Sequence, residues 1–211
     1  MRTNAAGLFK VLIAKDGGSH NVNAALADVL ALPQNGKTAG SEHRLTLYAM
    51  LANILPSAEV SSTIVPAVPH LLVKETNDTA VGVLASVMAA NLTYMLEANM
   101  QLPADLTTVV TREMSNPKPL IRRAFVYITG SALWNINKYT DAVLTFSTGI
   151  ASALEATLKM VTTNPQTTGT SPWEGYVALA LFMGPMEKIG TFGMFVFHGT
   201  AFGAHFFQVI L

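Results

Sequence analysis

Lys118, Arg122 and Arg123 form the densest cluster of like charge in the chain, three cations within six residues. Such a cluster can hold phosphate, through charge and through the planar donor fork that each arginine presents. If the segment is helical, a spacing of four places Lys118 and Arg122 on one face. The leading expectation is nevertheless structural, because an arginine between stacked helices usually pairs with a neighbouring carboxylate. What argues for an external anion is Lys118, which would stand at a helix N-terminus, where the helix dipole disfavours a cation.

Other groups with chemical potential meet their requirements less well. Gly36-Lys37-Thr38, with Ala31 five residues before the glycine, fits a relaxed phosphate-loop pattern. Such a loop follows a buried strand, however, whereas Val22 to Leu32 reads as a helix, and no aliphatic run ending in aspartate follows to hold magnesium. The five histidines, His20, His43, His70, His198 and His205, include no pair at metal-binding spacing. His198 and His205 share a face if helical but would sit about 10.5 Å apart, too far for one ion held at about 2.1 Å from each nitrogen. Glu75 and Asp78 straddle a helix boundary and read as helix-end and capping groups. No Gly-x-Ser-x-Gly elbow is present. The expectation is no catalytic, metal or cofactor site, and hence no enzyme.

The elements that would carry these residues are helical. From Ser41, apolar residues recur at three and four through Leu45, Tyr48, Leu51, Ala52 and Leu55, until Pro56 stops the helix. Ser57 and Glu59 then supply a cap and a first-turn carboxylate for a second helix reaching Lys74, and Pro66 and Pro69 predict a kink in it. A third helix starts at Asn77 or Asp78, carries Val81, Leu84, Ala85 and Met88, and continues after a break to Glu97. Pro103 is placed to open a short helix with Leu106, Val109 and Val110. Residues 117–134 carry the stripe Ile121, Phe125, Ile128, Ala132 and Leu133; residues 140–161 carry Val143, Phe146, Ile150, Leu154 and Leu158.

Similar helices beginning near Ser41, Asp78 and Lys118 are spaced by 37 and 40 residues, close to the period of HEAT and armadillo arrays. The expected fold is therefore all-α, a right-handed α-solenoid of HEAT-like helix hairpins over residues 1–190, with surface loops near 33–40 and 162–172. Composition agrees with a stack whose units need neighbours: 50% of the residues are hydrophobic and only 12% charged, about half the usual charged share.

Thirteen basic and thirteen acidic residues balance to zero, which removes the global attraction of a dedicated nucleic-acid binder and argues against specific DNA binding. The chain has no cysteine, which fits a reducing compartment. Its first apolar run, Gly7 to Ala14, is short and broken by Lys10, unlike a signal peptide, so the expected location is cytoplasmic. Asn77-Asp78-Thr79 and Asn91-Leu92-Thr93 match the glycosylation pattern, which has no meaning without secretion.

Residues 190–211 stand apart as a phenylalanine-rich tail without a charge, containing Gly199-x-x-x-Gly203. Its length suits a bilayer, which keeps a tail-anchored membrane protein as the alternative. Two histidines, a glutamine, several glycines and a single preceding basic anchor, Lys188, argue against that reading.

Several segments together carry a family resemblance: Ser41-Glu42-His43-Arg44-Leu45-Thr46-Leu47-Tyr48, Lys74-Glu75-Thr76-Asn77-Asp78, Leu102-Pro103-Ala104-Asp105, Lys118-Pro119-Leu120-Ile121-Arg122-Arg123-Ala124, and Glu174 to Pro185. In collinear order over roughly residues 21–190, they resemble the N-terminal HEAT-repeat region of the fungal general-control translational activator. The resemblance implies a piece of a large ribosome-associated scaffold that helps activate the kinase of translation initiation factor two during amino-acid starvation. It implies no catalysis and no cofactor. The kinase-binding and ABC-protein-binding regions of that family lie downstream of the matched part, so the partners it implies here are the ribosome or other proteins. Residues 191–211 depart from the family's next repeat, as expected of a truncated relative or a misread gene end.

Overall fold

The structure, a computed structural model, describes residues 41–150 and residue 153. The described residues are helices and their connections, without strands. In chain order the helices are α1 (Ser41–Leu51), α2 (Ala58–Lys74), α3 (Asp78–Glu97), α4 (Leu106–Met114) and α5 (Pro119–Trp134). A sixth, α6, is described over residues 141–150. The loops expected near 33–40 and 162–172, the helix over 22–32 and the tail 191–211 lie outside the described residues. The chain divides into two compact units, Met1–Met95 and Leu96–Leu211.

In the first unit, α1 ends earlier than its apolar pattern suggests. The amides of Asn53 and Ile54 turn back to the carbonyls of Met50 and Leu51, and the Asn53 side chain donates to the Ala49 carbonyl, 2.7 Å away. Pro56 disfavours a helical Leu55 just before it. The periodicity past Leu51 is therefore broken: Ala52 is exposed and Leu55 lies 78% exposed, while Ile54 takes the buried place.

Ser57 caps α2 from an extended backbone, its Oγ accepting from the Val60 amide at 3.3 Å, as its position before Glu59 predicts. α2 then runs as one helix through Pro66 and Pro69, so the prolines do not interrupt it. Each still removes one amide from the ladder. The hydroxyls of Ser62 and Thr63 bond back to the carbonyls four residues earlier in the same stretch.

α3 starts behind Asn77, whose side chain accepts from the Ala80 amide at 3.0 Å and whose carbonyl accepts from Val81. It continues without the expected break to Glu97. Val87, Met88 and Ala89 are buried in succession, so the covered face is wider than a single stripe, while Gly82, Ser86 and Ala90 line the exposed side. Inside the unit Ser61 of α2 donates to Asn91 of α3 at 2.9 Å, and both side chains are buried.

In the second unit, Pro103 does not open α4. It lies in the preceding turn and accepts the Leu106 amide through its carbonyl, while Asp105 takes the cap position. α4 packs directly on α5. α5 begins with Pro119 in the first turn, where a missing amide costs nothing, and buries Ile121, Phe125, Ile128, Ala132 and Leu133 as their spacing predicts.

The end of α3 is tied to the start of α6 by three hydrogen bonds. The Asn137 amide donates to Glu97 Oε1 (2.5 Å), the Thr140 hydroxyl to the Leu96 carbonyl (2.5 Å), and the Ala142 amide to Asn99 Oδ1 (3.0 Å). Asn99 adopts a left-handed backbone (φ 52°), a conformation that asparagine tolerates at a helix C-terminus. Val143, Phe146 and Ile150 of α6 are buried; Leu154 and Leu158, expected on the same stripe, lie outside the described residues.

Candidate functional site

The cationic cluster is built on the α4–α5 turn. Glu113, buried near the end of α4, accepts from Arg112 Nε at 2.7 Å and from Asn116 Nδ2 at 2.5 Å. Held in this way, Asn116 accepts the Lys118 amide on its side-chain oxygen (2.8 Å) and Arg122 Nη1 on its backbone carbonyl (2.7 Å). A carboxylate thus fixes an asparagine, and the asparagine fixes the entry to α5.

This construction divides the three cations. Arg122 is buried, whereas Lys118 and Arg123 are exposed. Lys118 and Arg122 do not share a helix face, because Lys118 is the cap residue, outside the helix with an extended backbone (φ −78°, ψ 114°). The four-residue rule holds only inside the helix. Lys118 and Arg123 are thus the two members of the cluster that reach the surface.

The same helix carries a feature that its hydrophobic stripe concealed. Tyr127 and Trp134 are 40% and 43% exposed, and Tyr139 in the connection to α6 is 45% exposed. Arg123, Tyr127 and Trp134 follow one another at spacings of four and seven, out of phase with the buried stripe. That second phase was the readable signal.

Glu75 is strongly perturbed, and its role is structural. Arg44 Nε and Nη2 meet its two oxygens at 2.9 and 3.0 Å, and the amides of Thr76 and Asn77 donate to Oε1 at 2.9 and 3.0 Å. Burial pushes this carboxyl up, but the Arg44 fork and the two amides outweigh it and hold the group down at about 2. The Arg44 guanidinium is raised, first by its hydrogen bond to Glu75. Tyr48 beside them is buried, and burial, with the Glu75 charge, pushes its phenol up to about 12. A carboxylate so saturated with donors is a poor proton acceptor and a good clamp between α1 and the end of α2. Glu75 is thus a helix-end group, as its place in the chain implies, but its long-range partner Arg44 was not legible there.

The remaining sequence candidates are placed as follows. Asp78 is exposed in the first turn of α3, and the cap itself is Asn77. His70 is exposed on α2. Ala31, Gly36, Lys37, Thr38, His20, His198 and His205 lie outside the described residues. Among the described residues no three histidines or carboxylates come together as a metal site would require. Asn91 is buried against Ser61, so its side chain is closed to a glycan. α3 is, among the described residues, the one helix long and apolar enough to cross a membrane, and most of that stretch is buried.

Residues 41–196 match the family model described as general control nonderepressible 1 (Gcn1) N-terminal. No curated protein and no solved structure matches the chain.

Proposed function

The chain belongs to the Gcn1 N-terminal family, and from that premise we propose that it is a non-catalytic, cytoplasmic helical scaffold of translational control, associating with ribosomes or with proteins bound to them. The observation that carries this reading is the family match over residues 41–196, which spans the described helices. The helices support it by their order. Those beginning at Ser41, Asp78 and Pro119 are each followed by a second helix, beginning at Ala58, Leu106 and residue 141, which makes three successive pairs. Pairs recurring at this interval suit HEAT-like hairpins stacked as a right-handed solenoid, whose helix faces and turns serve as binding surfaces. The α4–α5 turn, with Lys118 and Arg123 outward, is the proposed phosphate-facing contact.

Sedimentation with purified ribosomes tests the reading. At low salt the chain is expected in the ribosomal pellet, and rising salt is expected to release it as counterions compete for phosphate. A chain that stays in the supernatant at low salt has no ribosome association, and the reading fails.

A further inference from the structure

We infer that Ser115, in the α4–α5 turn, is a phosphorylation site, and that its phosphate takes the Lys118 cation away from any external phosphate. The sequence before it has the form that basic-directed serine kinases read, an arginine three residues ahead of the acceptor: Arg112-Glu113-Met114-Ser115. No other arginine in the chain is followed by serine or threonine at that spacing.

Ser115 is exposed at the cap position that ends α4. Its amide donates to the Arg112 carbonyl, but its hydroxyl has no hydrogen-bond partner among the described residues. The Arg112 side chain is 65% exposed even though its Nε meets Glu113. Glu113 and Met114, between them, are buried, so a kinase reads the stretch when this turn opens. Opening breaks little regular structure. The Ser115 and Asn116 amides reach only three residues back, to the Arg112 and Glu113 carbonyls, and Pro117 has no amide to add. The transfer itself uses ATP: the Ser115 oxygen bonds to the γ-phosphorus as the bond from that phosphorus to the bridging oxygen breaks. ADP leaves, and the hydroxyl proton passes to the base of the kinase.

The phosphoserine brings a charge of about −1.5 to −2 and strong acceptor oxygens. At the end of α4 it meets the negative pole of that helix and lies two residues from the buried Glu113 carboxylate; both repel it. Lys118, three residues on, is exposed and has no carboxylate partner among the described residues. The first turn of α5 contains no acidic residue. The local field therefore directs the phosphate away from α4 and toward Lys118 and the positive pole of α5. Neutralised in this way, Lys118 no longer attracts a phosphate from outside.

This inference rests on the ribosome-association reading only for the consequence of the modification. The full chain is incubated with ATP and the calcium- and calmodulin-activated serine kinase, and the modified residue is located by mass spectrometry. Phosphate is expected on Ser115, with none at that position in S115A. R112Q, which keeps a donor for Glu113 but removes the cation that the kinase reads, is expected to lower kcat/KM at least about tenfold. The second ionisation of the phosphoserine, followed by phosphorus NMR, is expected below its ordinary value of about 6 in the parent and closer to it in K118A. Phosphorylated parent chain is expected to lose ribosome pelleting, while S115A treated with the kinase retains it.

A kinase that leaves Ser115 unmodified overturns the proposal, as does a phosphoserine whose ionisation is the same in the parent and K118A. Phosphorylated chain that pellets with the salt dependence of the parent overturns it as well. If the unmodified chain does not pellet, ribosome association fails, and the mass and phosphorus measurements still decide the site and its pairing with Lys118.

Discussion

Arg44 and Glu75, thirty-one residues apart, meet through two parallel hydrogen bonds of 2.9 and 3.0 Å, fork to fork, with the Glu75 carboxylate buried. The contact ties α1 to the end of α2. Its removal from one side leaves a buried charge without its counter-ion, which is costlier than never having had the pair. Arg44→Ala is therefore expected to destabilise the chain by about 3 kcal/mol in urea unfolding, at the lower end for broken buried pairs because Arg44 is partly exposed. Glu75→Gln, which keeps the shape and one acceptor, is expected to cost less.

The same pair sets the response to acid. Glu75 is held at about 2 in the folded chain, below its ordinary 4.5, so the unfolded chain binds more protons between those values and stability rises with pH there. The contribution is complete above about 4.5 and is lost as pH falls through about 2. Integrated, it amounts to about 3 kcal/mol. Tyr48 acts at the other extreme: its folded value of about 12 lies above the ordinary 10, so its contribution is present below 10 and is lost as pH rises through 12. Urea midpoints measured between pH 5 and 2 should fall for the parent chain and stay flatter for Glu75→Gln. Parallel curves would refute the assignment to Glu75.

What could be read before the fold was known depended on how local the cause was. Ser57 and the boundary at Asn77 act on amides within four residues, and each stands where short-range capping rules put it. Leu55 failed because a short-range effect of Pro56 overrode a longer periodicity, and Pro103 because a proline favours a turn as readily as a first helical position. Arg44 with Glu75, Ser61 with Asn91, and the bonds from Leu96, Glu97 and Asn99 to residues 137–142 join positions thirty or more residues apart. No pattern within a single helix encodes them. In the cationic cluster, residue type was legible but burial was not: Arg122 turns inward and donates to the Asn116 carbonyl, a partner that lies outside its own helix.

Ser61 and Asn91 form a buried polar pair whose two halves are unequal. Asn91 also donates to the Val87 carbonyl within its own helix at 2.8 Å, whereas its oxygen is the acceptor for the Ser61 hydroxyl at 2.9 Å. Asn91→Ala is expected to cost about 1–3 kcal/mol because it strands a buried hydroxyl, and a second change, Ser61→Ala, should recover part of that loss. A double-mutant cycle in urea measures the coupling; strict additivity would show that the two side chains do not interact.

Two helical glycines give opposite expectations for the same substitution. A Cβ on Gly149 of α6 would approach Thr107 Cγ2 of α4 to 2.5 Å, and a β-branched side chain on a helix has little freedom to retreat. A Cβ on Gly82 of α3 would meet nothing within 4 Å. Gly82→Ala should stabilise by about 0.5–1 kcal/mol, through propensity and a less flexible unfolded chain. Gly149→Ala should destabilise by about 1–2 kcal/mol, overpacking outweighing the same gain. Thermal melts of the two variants should move in opposite directions, and Thr107→Ser, which removes the obstructing methyl, should restore Gly149→Ala.

Lys118 and Arg122 separate a structural role from a contact role within one cluster. Arg122 is buried and donates to the Asn116 carbonyl at 2.7 Å, so Arg122→Ala removes a charge-assisted bond and leaves that carbonyl short of a partner. The expected cost is about 1.5–3 kcal/mol of stability. Lys118 is exposed at the cap of α5, and Lys118→Ala should change stability by no more than about 0.5 kcal/mol. Ribosome pelleting should divide the other way. Lys118→Ala should lower both the affinity and its salt dependence, whereas Arg122→Ala, measured at a temperature where it remains folded, should leave the salt dependence intact. If Lys118→Ala leaves pelleting and its salt response unchanged while Arg122→Ala reduces the salt slope, the phosphate contact passes through Arg122, and the division drawn from burial is wrong.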